Sequence, residues 1–117
     1  MAYEVPGFKL PGHVASADLS TSQFLGVVPH TTAGEVALAG AAAKIAGVLQ
    51  NDPIIGEAAE VMVDGVTKGV SGAAITTGDE LEMDAAAKFI TLASGVSVGF
   101  ALEAASGADD ILSVLLK

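Results

Sequence analysis

Four acidic residues in a short stretch are the side chains of this sequence best suited to binding a cation. One of them, Asp79, directly follows a glycine in a predicted turn. The other three lie in the predicted strand after it, namely Glu80, Glu82 and Asp84. Alternate residues of a strand share one face, and hard cations such as calcium take several carboxylate oxygens. The EF-hand ligand spacing is absent, however, and a solvated strand face has the same pattern. We therefore favour a solvated acidic face over a cation site.

Nucleophilic chemistry has one candidate. The segment Gly95–Gly99 matches the Gly-x-Ser-x-Gly pattern of a nucleophile elbow, with Ser97 in the middle. The elbow requires a strand-to-helix turn, whereas Ser97 lies inside a predicted strand with no helical pattern after it. The two histidines, His13 and His30, lie in the N-terminal segment and in a turn that follows a proline. We therefore predict no catalytic residues.

Other motifs that bind cofactors or metals are missing from the sequence. It has neither a P-loop nor a dinucleotide-binding fingerprint. It has no cysteine, which excludes disulfides, thiolate metal sites and cysteine nucleophiles. The pair Asp109–Asp110 is predicted to be a solvated turn rather than a metal site. We predict that the protein is not an enzyme and that it has no cofactor.

The charge of the chain argues against nucleic acid as a partner. The formal net charge is −9, with five lysines, no arginine and fourteen acidic residues, whereas nucleic-acid binding depends on Lys and Arg neutralising phosphates. The longest apolar region, Val36–Leu49, is rich in Ala and Gly and contains Lys44. It falls short of the ~20 apolar residues that span a bilayer, and no secretory signal pattern is present. We expect a soluble, unsecreted protein that binds neither nucleic acid nor membrane.

The apolar content points to a thin core. Hydrophobic residues make up 51% of the 117 positions, but aromatics make up only 4% and much of the remainder is alanine. Burying Val, Leu or Ile stabilises a protein by roughly 1.5 to 3 kcal/mol, and alanine contributes a fraction of that. Because oligomerisation is a usual remedy for a thin core, we expect a homo-oligomer.

The central stretch, Gly56–Asp84, has the pattern of a β meander. Val61 and Val63 are predicted to share a core face, while Met62 shares the solvated face with its polar neighbours. Asp64–Gly65 is predicted to supply the positive φ of a tight turn or a bulge. Six further segments have strand-like patterns, namely Phe24–Val28, Glu35–Ala39, Ile45–Leu49, Lys88–Leu92, Val96–Glu103 and Ile111–Leu116. Short strands at regular spacing predict an all-β fold, either a small β-barrel or a sandwich.

Residues 1–22 are predicted to form an extended N-terminal arm in front of a β-barrel domain at residues 23–117. Pro6 and Pro11 each neighbour a glycine, and such pairs interrupt regular structure. The arm nevertheless carries Tyr3, Phe8 and Leu10, which is unusual for a segment left in water. Two interpretations are open, since the arm could fold over its own domain or lie on a neighbouring subunit or partner.

Several segments occur in an order that resembles the head decoration, or capsid cement, proteins of tailed bacteriophages. They are Tyr3–Lys9, Gly47–Asn51, Gly56–Val61, Gly65–Lys68, Gly72–Ile75, Gly78–Leu81, Ala101–Ala105 and Ile111–Leu116. The resemblance covers the chain from Phe24 to the C-terminus and includes the motif in the arm. One departure is Ala87, at a position before Lys88 where the family pattern leads us to expect a glycine.

The resemblance implies a structural protein that is made in the host cytoplasm and lies on the outer surface of the virion capsid. There it would bind the major capsid protein and stabilise the expanded shell, with a homotrimer favoured. As a hypothesis, six residues of the arm contact the capsid or a neighbouring subunit, namely Tyr3, Val5, Pro6, Phe8, Lys9 and Leu10. The alternative function is that of a free-standing ligand- or cation-binding β module.

Overall fold

The computed structural model of this chain describes residues 9–10 and 12–116. Within these residues the chain forms strands and turns without a helix, so no described helix could cross a membrane. The strands form two sheets that pack against each other. The predicted all-β fold is therefore confirmed, and of the two predicted architectures it is the sandwich, not a closed barrel.

The described residues contain eleven strands, most of them short. They are β1 (Lys9–Leu10), β2 (Val14–Ala15), β3 (Gly26–Pro29), β4 (Glu35–Leu38), β5 (Gly47–Leu49), β6 (Val61–Met62), β7 (Gly65–Val70), β8 (Glu80–Met83), β9 (Phe89–Thr91), β10 (Gly99–Ala101) and β11 (Ile111–Leu116). The six-stranded sheet has the order β1-β6-β5-β3-β4-β2, and the five-stranded sheet has the order β7-β11-β10-β8-β9. All paired strands are antiparallel except β2 and β4.

The larger hydrophobic cluster lies between the two sheets. Val48 and Met62 enter it from the six-stranded sheet, and Leu81, Phe89 and Leu112 enter it from the five-stranded sheet. Each of these side chains is at most 2% exposed. Phe89 is the largest fully buried side chain among the described residues. In a chain with so few aromatics, much of the contact between the sheets depends on this one ring.

A smaller cluster covers the opposite face of the six-stranded sheet. Val27, Leu49 and Val61 pack there against Ala15, which belongs to the sheet's own edge strand β2, and against Leu19. The segment that carries Ala15 and Leu19 is joined by backbone hydrogen bonds to residues 53–59. The six-stranded sheet is therefore buried on both faces, and neighbouring residues of one strand point into different clusters.

The placement of Met62 corrects the prediction for strand β6. Met62 was expected on a solvated face, but its side chain is only 2% exposed and belongs to the larger cluster. Val61 points the other way into the smaller cluster, and Val63 packs against that cluster as well. The prediction for Met62 is wrong because the six-stranded sheet is buried on both faces, so that side chains on either side of β6 are shielded from water.

The sequence pattern also misses strand β7, which pairs with β11 along six residues. Gly65 has the positive φ predicted for a tight turn or a bulge, 106°, and it is the first residue of this strand. Its inward positions hold Thr67 and Gly69 instead of large apolar residues. The Thr67 hydroxyl accepts a hydrogen bond from Gln50 Nε2 at 2.8 Å, while Gly69 lies against the ring of Phe89. The apolar alternation on which the prediction depends is therefore absent.

The turn before β9 keeps a left-handed conformation without a glycine. Ala87 has φ 63° and is fully buried, at the position where the resemblance leads us to expect glycine. The turn is closed by the Ala87 amide, which donates to the carbonyl of Asp84 at 3.1 Å. Five observed strands are shorter than the sequence patterns that predict them, namely β3, β4, β5, β9 and β10, and β3 also begins two residues later than predicted.

Replacing Gly69 with alanine is expected to lower the free energy of unfolding by roughly 1 to 3 kcal/mol, the usual cost of overpacking a core. The new Cβ would lie 2.6 Å from Phe89 Cε2 and 3.1 Å from Val114 Cγ2, and neither buried side chain has room to move away. Urea denaturation measures the difference. Gly40→Ala is the matched control, because a Cβ there has no neighbour within 4 Å. Equal losses in the two variants would contradict this account of the core.

Candidate interaction surface

Two of the predicted contact residues, Lys9 and Leu10, form β1 at the edge of the six-stranded sheet. Leu10 packs against the smaller cluster, and Lys9 Nζ lies 3.4 Å from Glu60 Oε1. This described part of the arm therefore contacts its own domain. The other four predicted contact residues lie outside the described part of the chain, and their contacts stay predictions: Tyr3, Val5, Pro6 and Phe8.

Residues 13–19, inside the segment predicted as an arm, cover part of the core. The amides of Ala15 and Leu19 donate to the carbonyls of Glu57 and Pro53, each at 2.9 Å. Ala15 and Leu19 are 1% and 3% exposed. The division of the chain at residue 22 stays a prediction, but a truncation that preserves these contacts must end before His13, and one that also preserves β1 must end before Lys9.

The acidic face of β8 is solvated at Glu80, which is exposed, but not at Glu82. Glu82 is 5% exposed, and its Oε2 accepts a hydrogen bond from the amide of Ala93 at 2.6 Å. The loop that follows β9 folds over this carboxylate, so that a Cβ at Gly95 would lie 2.2 Å from Glu82 Oε1. Alternation within the strand cannot predict this burial, because the covering loop comes from another part of the chain.

Two other carboxylates of the acidic stretch, those of Asp79 and Asp84, close turns. Asp79 Oδ2 accepts hydrogen bonds from the Thr76 amide at 3.1 Å and the Thr91 hydroxyl at 3.0 Å. Asp84 Oδ1 accepts from the amides of Ala86 and Lys88 at 2.8 and 2.9 Å. Residues 9–10 and 12–116 contain no group of three or more His, Cys, Asp or Glu side chains that could hold a metal ion. The geometry of the acidic stretch thus gives no support to a cation site.

The acidic pair in the turn before β11 has two separate structural roles. Asp109 forms an ion pair with Lys88, which raises the pKa of that lysine. Asp110 Oδ2 accepts hydrogen bonds from the hydroxyl and the amide of Ser106, at 2.6 and 2.9 Å. Hydrogen bonds from the Ser106 hydroxyl and then its amide lower the pKa of Asp110. Both carboxylates therefore stabilise the turn.

The candidate catalytic residues occupy exposed loops. Ser97 precedes β10 and does not lie within it as predicted. His30 Nδ1 lies 3.3 Å from the amide of Thr32 and 3.4 Å from Glu35 Oε1. These contacts involve neighbouring residues of the β3–β4 hairpin. They indicate a role in the turn for His30.

An exposed apolar turn is a feature that the sequence analysis did not single out. Five large hydrophobic side chains are exposed among the described residues: Leu38, Ile54, Ile55, Val96 and Ile111. Ile54 and Ile55 are adjacent, and they are 50% and 67% exposed. The sequence does give one indication of this exposure, because it places two isoleucines between Pro53 and Gly56, in a segment too short to reach the core.

Hydrogen bonds fix the shape of this isoleucine turn, defined here as residues 54–57. The amide of Glu57 donates to the Ile54 carbonyl at 3.0 Å, and Glu57 Oε1 accepts from the Ile54 amide at 2.9 Å. Gly56 adopts φ 82°, a conformation that suits glycine, and its amide donates to Ala15 at 2.9 Å. The two isoleucines are thus presented from an ordered support.

A surface pocket of about 90 Å³ lies between the two sheets, near the start of β5 and the end of β11. Ile45, Val96, Val98 and Leu116 provide its apolar lining, and Lys44 lies at its wall. The volume falls between the roughly 30 Å³ share of one water and the roughly 150 Å³ of a cavity that holds benzene. The pocket is therefore of a size for one aliphatic side chain.

Comparisons with known proteins point to the bacteriophage head. The sequence matches a family model described as phage cement protein over residues 19–117, and no curated protein matches it. Among solved structures, the chain is similar to the N base of head fiber gp8.5 in bacteriophage phi29. The TM-score is 0.76 at 14% sequence identity, covering 94% of this chain and 92% of the other. At this identity the likeness shows a common fold.

Acidification is expected to destabilise the protein in part through Asp110. Because its pKa is lowered in the folded state, this carboxyl contributes stability above its ordinary pKa and loses it as the pH falls through the folded-state pKa. Asp110→Asn should therefore show a smaller fall in Tm than the unaltered protein between about pH 5 and pH 3. Asp52→Asn, in an exposed loop, is the control. The same pH profile for Asp110→Asn and the unaltered protein would contradict the role assigned to this turn.

Proposed function

The chain belongs to the phage cement protein family, whose model matches residues 19–117, and on this basis we propose that it decorates the outside of a phage head. It is a phage capsid-associated structural protein. In the proposal it binds the major capsid protein at the outer surface and stabilises the expanded shell. The family match carries the proposal, and the fold shared with a head fiber base supports it.

The charge of the protein supports a position outside the shell. With a net charge of −9 and no arginine, the chain would be repelled by the phosphates of packaged DNA. An acidic protein made in the host cytoplasm would also avoid nonspecific binding to nucleic acid before it reaches a capsid. The charge thus favours the capsid surface over the genome as the partner.

We further propose that it acts as a homotrimer, and the small size of its buried residues supports assembly. Six alanines are among the buried hydrophobic residues, namely Ala15, Ala39, Ala59, Ala87, Ala101 and Ala105. Alanine gains little from burial, so contacts with other copies would add the apolar area that the single chain lacks. Residues 1–8, which lead into the edge strand β1, would supply the contact with the capsid.

The proposal assigns no catalytic role. Ser97 lies in an exposed loop, and the carboxylates at Asp79, Asp84 and Asp110 accept hydrogen bonds from turns. Polar side chains whose hydrogen bonds are made within turns have a structural role. A binding function through surfaces is therefore favoured over chemistry.

Co-sedimentation with expanded, undecorated capsids of the same phage tests the proposal. The purified protein is expected to bind until a fixed ratio to the major capsid protein is reached, because symmetry-related sites on a shell are limited in number. Unexpanded capsids are the matched control, and they should bind less protein. Binding that does not saturate, or no binding, would contradict the proposal and favour the free-standing module.

Removing residues 1–8 is expected to abolish or strongly weaken this attachment while the Tm stays close to that of the full chain. The truncation leaves Lys9 and Leu10 in β1 and leaves residues 13–19 on the smaller cluster. The same co-sedimentation assay and a thermal melt measure the two effects. Gly40→Ala in the full chain is the control and should keep both attachment and Tm, since a Cβ there has no neighbour within 4 Å. Full attachment of the truncated protein would show that the arm is not the anchor.

A further inference from the structure

The isoleucine turn and the surface pocket lie at opposite ends of strand β5. Lys44 and Ile45 of the pocket come just before β5, whereas the turn lies beyond its last residue, in the β5–β6 hairpin. Asn51 joins the two arms of that hairpin, because its side chain donates to the Ala58 carbonyl and accepts from the Glu60 amide, each at 3.0 Å. The turn is thus held away from the pocket of its own chain.

The charges around the two features are complementary. The isoleucine turn is flanked by the exposed acidic residues Asp52 and Glu57, and the pocket has Lys44 at its wall. Lys9 and Lys88 form ion pairs, and Lys68 lies 5.7 Å from the centre of an aromatic ring. Within the described residues Lys44 is the lysine left exposed without such a contact.

We propose that the isoleucine turn of one copy of this chain inserts into the pocket of a second copy, with Lys44 facing Asp52 and Glu57. The turn is apolar and exposed, the pocket is apolar and of a size for one aliphatic side chain, and the flanking charges are opposite. A contact that joins two different surfaces is heterologous, so it builds a closed ring or an open chain of copies. It identifies a self-assembly interface that is separate from the capsid contact in the arm.

The oligomeric state of the full chain in sedimentation equilibrium tests this interface without any capsid. Ile55→Ser is expected to weaken association at least about tenfold, because a buried isoleucine contributes roughly 1.5 kcal/mol or more. The matched control is Ile111→Ser, which removes another exposed isoleucine, from β11, and should leave association unchanged. A monomer at all concentrations, or equal effects of the two substitutions, would overturn the proposal.

Mixing two defective variants tests the heterologous geometry. Lys44→Glu should weaken association at low salt, because the new carboxylate would face Asp52 and Glu57 of the next copy. A mixture of Lys44→Glu and Ile55→Ser is expected to form heterodimers, since the first has an intact turn and the second has an intact pocket. Absence of heterodimers would overturn the proposal.

Measuring the capsid binding of Ile55→Ser shows whether the isoleucine turn contacts the capsid protein and not a second copy of this chain. An Ile55→Ser protein that associates normally but no longer binds capsids would mean that the turn contacts the capsid protein. That result would overturn the self-assembly interface and leave the proposed decoration function intact. Loss of self-association with capsid binding retained at high protein concentration would support the interface.

Discussion

The fold depends on covering both faces of the six-stranded sheet. Strands β5 and β6 place Val48 and Met62 in the larger cluster, and they place Leu49 and Val61 in the smaller one. The five-stranded sheet covers one face. The other face is covered by the sheet's own edge strand β2 and by Leu19, and this segment is hydrogen-bonded to residues 53–59. A chain with few aromatics thereby obtains two apolar layers from short strands.

The same constraint explains the features displayed at the surface. Residues 53–59 must return along the outer face to pair with residues 13–19, so the turn between β5 and β6 projects Ile54 and Ile55 into solvent. On the other side, Gly47 must approach strand β6 closely, since a Cβ there would lie 2.3 Å from the Met62 carbonyl oxygen. Small residues near the start of β5 leave the pocket open beside Lys44. The packing of strand β5 in the core is therefore linked to both surface features, the isoleucine turn and the pocket.

The sequence predicts those parts of the fold whose signal is local. Strand β4 and strand β11 follow from their apolar patterns and turn residues, and the all-β class follows from the spacing of such segments. The burial of Met62 and Glu82 depends on layers contributed by distant parts of the chain, which periodicity does not record. Strand β7 lacks apolar alternation because Gly69 leaves space for Phe89.

The candidate site was less predictable than the fold. The spacing of the acidic residues suggests a cation site, yet in the structure Asp79 and Asp84 fix turns and Glu82 lies beneath a loop. The isoleucine turn carries no motif, and its importance appears only when burial is known for the whole chain. The family was predictable because the order of many short segments is characteristic of a shared fold, even where no single residue indicates a chemical activity.

The proposed position of this protein is the outside of an expanded phage head. Electron cryomicroscopy of capsids incubated with the protein, compared with capsids alone, is the decisive experiment. We expect additional density on the outer surface that fits a two-sheet sandwich, repeated at equivalent symmetry positions. Density confined to the interior, or identical maps with and without the protein, would contradict it.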